Sequence, residues 1–197
     1  MNQLLPFVLF TFVASITPGP TNMLVLSSSA RFGWRAALPL LTGACLSAAL
    51  IVMLVGLGLG EILMRLPAVQ HAMAWLGVAW ITLLAWKLWR SADEPLDTDS
   101  AGIRIGAWGG AALQLINPKT WMMALAVVSV FAGADAGPAG YAGYALIFLG
   151  IAVPCLIGWA ALGRGAVRLL RSPASLRCFN RVMALLLLVS AWGSLLM

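Results

Sequence analysis

The sequence predicts an all-α integral membrane protein of six transmembrane helices, arranged as two inverted three-helix repeats with helices 1 and 4 broken at proline. Three observations carry this. The 197-residue chain is 62% hydrophobic and 9% charged. A soluble domain carries about a quarter charged residues, so lipid is the expected solvent. The length holds about six apolar runs of roughly 20 residues with short connections. Two of those runs are interrupted near their middles, at Thr17-Pro18-Gly19-Pro20 and at Asn117-Pro118-Lys119-Thr120.

Span one runs from about Leu4 to Ala30, with its interruption at Thr17 to Pro20. No Lys or Arg precedes it, as one would in a secretory leader, so it reads as a first membrane helix rather than a cleaved peptide. A basic loop with aromatics, Arg31-Phe32-Gly33-Trp34-Arg35, leads into span two, about Ala37 to Gly60. Glu61 to Pro67 is a short turn. Span three, about Val69 to Trp89, closes on Trp86, Lys87, Trp89 and Arg90, the residue types that anchor a helix at the membrane interface. His71, at the other end of span three, reads as interfacial rather than as a ligand.

Residues 91–104 form a polar linker that holds four of the six acids, Asp93, Glu94, Asp97 and Asp99. It reads as a solvated connection, not a catalytic acid cluster. Span four runs from about Ile105 to Phe131 with its break at Asn117-Pro118, and a short loop contains Asp135. Span five runs from about Gly140 to Leu162. Arg164, Arg168, Arg171, Arg177 and Arg181 follow, and span six runs from about Val182 to Leu196. The whole of 1–197 thus reads as a single membrane domain, with repeat one about 1–90 and repeat two about 105–197.

The net charge of +6 sits between apolar runs rather than on a polar face, which argues against nucleic acid as partner. Apart from Arg65 and Lys119, every basic residue falls in the loops after spans one, three and five or, for Lys87, in the last turn before one of them. By the positive-inside rule those loops are cytoplasmic and both termini face outward. Cys45, Cys155 and Cys178 show no CxxC spacing and no clustering with His71, so they read as small apolar fillers with no metal site.

Shifted by 100 residues, the chain partly matches itself. Pro18 falls on Pro118, Met23 on Met123, Ser29 on Ser129, Gly33 on Gly133, Gly43 on Gly143 and Gly58 on Gly158. A Gly/Ala/Leu-rich chain gives some matches by chance, but the prolines and glycines exceed that background. Three spans per half is an odd number, so the second half enters the membrane in the opposite sense. Inverted repeats with paired broken helices are a plan of secondary transporters, which bind substrate where the breaks meet.

Proline removes a backbone donor, and lipid cannot replace it, so such breaks are tolerated only against protein or a wet cavity. Thr17 and Asn117 are good N-cap residues, each followed by proline at a first helical position. The restarted helices would aim N–H groups and positive dipole ends at one point. The interrupted halves would leave carbonyls free near Ala14, Ile16 and Gln114. Donors for a carboxylate beside acceptors for an ammonium suit a zwitterionic amino acid. A kink packed by its neighbours is the plainer alternative; paired, symmetric placement with polar caps favours a site. The candidate residues are Thr17, Pro18, Gly19, Pro20, Asn22, Gln114, Asn117, Pro118 and Lys119, with Thr42 and Ser47 left out because membrane hydroxyls often bond their own backbone.

Lys119 lies about 10–15 Å deep at helical rise. A charge there costs roughly 2.5–3.5 kcal/mol on insertion scales. No acid lies within a span, so released carbonyls, water or a bound anion must serve it. Contact with a substrate carboxylate or a proton-linked role follows; a cytoplasmic anchor on a span that starts later is the other reading.

The Thr-Pro-Gly-Pro of span one, the Gly33 and Gly43 pair and the Asn-Pro-Lys of span four resemble the LysE/RhtB family of amino-acid exporters. The resemblance covers nearly the whole chain. It implies an inner-membrane exporter coupled to the proton gradient, with no cofactor and with motif positions at Pro18, Gly19, Pro20, Asn117, Pro118 and Lys119. A homodimer is compatible with it. Lysine and arginine exporters of that family tend to carry Asn-Pro-His with an Asp a turn later, where this chain has Lys119 and Met123. The resemblance therefore favours the homoserine, threonine or leucine branch and a neutral or hydrophobic substrate, with basic amino acids as the alternative. Three rivals stand beside it. A membrane protease lacks its constellation, having only His71. A thiol-redox carrier would need its cysteines at the breaks, and Cys45 and Cys155 lie away from both prolines in sequence. A passive channel would not saturate.

Overall fold

In the computed structural model, which describes residues 3–90, 104–132, 136–169 and 173–193, the chain is helical and forms no strand among these residues. The linker acids Asp93 to Asp99, Asp135 and Arg171 lie outside them. Helix α1 (Leu4–Ile16) and α2 (Pro20–Phe32) are bent by 55° at the first break. Thr17 sits at φ −61°, ψ 131°, the extended conformation that a following proline imposes. Gly33, at φ +83°, turns the chain from α2 directly into α3 (Trp34–Leu54). Nothing lies within 4 Å of a Cβ built there, so the positive φ, not crowding, is what calls for glycine.

A π-helical stretch, Val55–Leu59, carries α3 into α4 (Gly60–Met64), with a kink at Gly58 (φ +108°). Then come α5 (Pro67–Arg90), α6 (Ala107–Leu115), α7 (Pro118–Ala126) with its π-helical extension Val127–Ala132, α8 (Gly137–Leu169) and α9 (Pro173–Gly193). The second broken pair, α6 and α7, is bent by 68°. Among the described residues three helices are long and apolar enough to cross a membrane, Trp34–Ile62, Pro67–Arg90 and Gly137–Ala166, and counting each bent pair as one span raises the number to five. The sixth expected span falls on α9. That helix starts well before Val182, and Arg177, Asn180 and Arg181 in its first half dilute its apolar character. Helix α8 likewise runs past Leu162 through Arg164, so much of the basic segment is helical.

Helices α3 and α8 pack on each other in the middle, as do α5 and α9 at one side. Around them α3 also takes α6 and α7, while α8 takes α1 and α2. Exchanging the two halves turns each of these pairings into another of the set. Crossings are close because glycine permits it. A Cβ on Gly43 would stand 1.9 Å from the Ala107 carbonyl oxygen, one on Gly110 2.2 Å from that of Leu40, and one on Gly163 2.2 Å from that of Leu26. Small residues at such crossings are how helices associate in lipid. Leu5, Leu50, Leu146 and Val189 face outward, as expected where the surroundings are acyl chains.

Candidate functional site

The two interruptions meet. The Lys119 ammonium donates to the Thr17 carbonyl at 2.9 Å, spanning from the start of α7 to the end of α1. Gln114 Nε2 donates to Thr21 Oγ1 at 2.9 Å, and the Thr120 hydroxyl donates back to Gln114 Oε1. Asn22 Nδ2 reaches across the first break to the carbonyls of Ser15 (2.9 Å) and Thr17 (3.0 Å). These side chains are buried apart from Lys119, which is half-buried.

They surround a cavity of about 470 Å³, measured out to its mouth. The part open to the centre of a water molecule is about 50 Å³. Of the candidate residues, Gly19, Pro20, Asn22, Gln114, Asn117 and Lys119 line it. Thr17, Pro18 and Pro118 shape the breaks without facing the space. Sequence reasoning missed Ser15, Thr21 and Thr120 on the polar side, and an apolar side made by Ala44, Cys45, Ala48, Met123, Phe148, Ala152 and Leu156. Cys45, expected away from the breaks, stands in the wall because α3 runs past both of them; it and Cys155 are free, buried thiols. The lining contains no carboxylate. Among the described residues no cluster of His, Cys, Asp and Glu could hold a metal.

The two breaks are built differently. At the second, Asn117 is the N-cap of α7 as expected: its Oδ1 accepts from the Lys119 N–H at 3.2 Å, with Pro118 at the first helical position. At the first, Thr17 is not a cap of α2. It ends α1, and its hydroxyl turns back to the Val13 carbonyl. Gly19 occupies the N-cap and Pro20 the first turn, with no side chain capping α2. The α2 N-terminus therefore keeps its outward-pointing N–H groups and dipole end for something else.

The carbonyls expected to be free are mostly taken. Trp159 Nε1, from α8, donates to the Ile16 carbonyl at 3.2 Å. Trp121 Nε1 donates to that of Leu115 at 2.8 Å. The Gln114 carbonyl accepts from the Asn117 N–H at 3.3 Å. A pair of indoles thus pegs the ends of the two interrupted half-helices. Ala14 keeps the expected character, since Pro18 four residues on has no N–H to offer it, and Ala14 lines the cavity. The result is a pocket lined by a cation, an uncapped helix start and small apolar side chains.

Cysteine/O-acetylserine efflux proteins of Escherichia coli (strain K12) and of Shigella flexneri serotype 5b (strain 8401) are 33% identical over 188 residues, covering 94% of this chain and 93% of theirs. No solved structure matches the chain. Such efflux proteins are transporters rather than enzymes, and a profile described as LysE type translocator matches residues 12–196. The chain therefore belongs to the LysE family of amino-acid efflux translocators.

Proposed function

We propose that this protein exports a small neutral amino acid across the bacterial cytoplasmic membrane, and that the cavity between the breaks holds it. The carrying observation is the lining: a lysine beside an uncapped helix N-terminus, with no acid opposite. The substrate carboxylate meets Lys119 Nζ and the first N–H groups of α2. Gly19 lets the lysine come close, a Cβ there standing only 3.3 Å from Nζ. The side chain lies against Ala44, Ala48, Ala152 and Met123, which leave room for something of the size of cysteine, O-acetylserine, homoserine or threonine. The relatives' names point to the first two; leucine is the upper end of the range. A lysine or arginine substrate would bring a second cation to a wall that has no counter-charge.

The same reading takes the two halves as inverted repeats, supported by the interchangeable helix pairings and the two bends. It takes the arginine-bearing ends as cytoplasmic, supported by the crowding of basic residues into the loops there. Efflux against a gradient requires a coupled downhill process, and proton antiport through Lys119 is the form proposed.

Counterflow in proteoliposomes tests this with L-cysteine, O-acetyl-L-serine, L-homoserine, L-threonine, L-leucine and L-lysine. Saturable exchange of the small neutral compounds, with lysine excluded, is expected. Exchange of lysine alone overturns the substrate reading, and linear, unsaturable flux makes the protein a channel.

A further inference from the structure

Phe7, Thr11 and Ser15 recur every four residues on α1, so they stack on one helix face. All three are buried, at 0%, 0% and 7% exposure. The hydroxyls of Thr11 and Ser15 have no hydrogen-bond partner. Such oxygens usually satisfy themselves on their own helix, as Thr17 and Thr42 do here. A stranded buried hydroxyl is a debit in the state observed. Ser15 stands at the cavity wall, and Thr11 lies one turn further toward the α1 N-terminus.

At the end of this stripe stands an aromatic cluster. The Phe7 ring packs edge-on against Tyr144 (centroids 4.8 Å apart) and at a tilt against Phe131 (5.7 Å). Tyr144 fastens the cluster by donating its hydroxyl to the Phe131 carbonyl at 2.8 Å. Phe131 belongs to the π-helical extension of α7, a helix form that recurs at functional sites. Phe7 lies on the far side of the cavity from Arg31.

We propose that the Thr11–Ser15 face of α1 is the outer half of the substrate path, closed in this structure, and that Phe7, Phe131 and Tyr144 form its gate. When the gate parts, the two hydroxyls gain water and then the ammonium and carboxylate of the departing amino acid. The stripe is thus a second contact site for the polar end of a zwitterion, dry only while the path is shut. This rests on the transport reading above.

The test uses the full chain in proteoliposomes. Thr11→Cys and Ser15→Cys variants are exposed to a membrane-impermeant methanethiosulfonate, and modification of each position is read by peptide mass spectrometry. Labelling is expected to be slow at rest and about tenfold faster while O-acetyl-L-serine is being transported. Adding Phe7→Ala should raise the resting rate at position 11 without substrate. If transport runs but neither position ever labels, the path is overturned; if Phe7→Ala leaves the resting rate unchanged, the gate is. Thr11→Val gives a readout independent of cysteine. It removes a stranded hydroxyl at constant shape, so the melting temperature should rise while turnover falls. A rise with unchanged turnover makes Thr11 a packing residue and overturns the proposal. Absence of any amino-acid transport by the unsubstituted protein counts against the proposed function instead.

Discussion

Lys119 shows how one residue can serve two breaks. Its backbone N–H is consumed by the Asn117 cap, and its ammonium closes on the Thr17 carbonyl. Lys119→Met keeps the aliphatic stem but loses the charge, and should abolish efflux while the protein still reaches the membrane, as membrane fractionation and a transport assay will show. Asn117→Ala removes the cap from α7 and should lower stability by about 1 kcal/mol, read as a fall in melting temperature in detergent. Because that change opens the second helix start to solvent, transport should weaken without being lost. Trp121→Phe leaves the Leu115 carbonyl without its indole donor and should destabilise by about 1–3 kcal/mol.

At the scale of elements, the crossings of α3 with α6 and α2 with α8 rest on the absence of side chains. Gly43→Val drives a Cβ into the Ala107 carbonyl and should prevent accumulation of folded protein. Gly150→Ala meets nothing within 4 Å and should be neutral, which makes it the matched control in a thermal-stability assay. The broken helices were legible because proline acts locally: it removes a donor wherever it stands, and lipid offers no substitute. The pegs were not. Trp121 and Trp159 carry no local signal of the role; the bend brings Trp121 back to Leu115, and the packing of α8 on α1 brings Trp159 to Ile16. Thr17 reads as a cap from its neighbour Pro18, but Pro18 and Gly19 carry the non-helical chain two residues further before the helix restarts at Pro20. Cys45 read as filler because α3 shows no break. Only the tertiary crossing places its middle beside both interruptions. Ser15, Thr21 and Thr120 carry a residue type that in membrane helices commonly bonds backward, so sequence gave no reason to prefer them.

For the whole molecule, the proposed orientation is open to direct measurement. An alkaline phosphatase fused after the last residue should be active and a fluorescent protein at the same place dark, since phosphatase folds only outside the cytoplasm; the reverse pattern overturns the assignment of the basic loops. Ala48→Leu fills the apolar side of the cavity and should cost the larger substrates most, with leucine exchange lost before cysteine exchange. The difference between the two helix starts has a further consequence. Under the repeat proposed above, a pocket on a pseudo-twofold axis would accept a ligand equally well in either of two flipped poses. Capping one helix start from within, through Asn117, and leaving the other bare removes that degeneracy. The pocket thereby gains a polarity that a twofold architecture alone lacks, with one preferred end for the carboxylate.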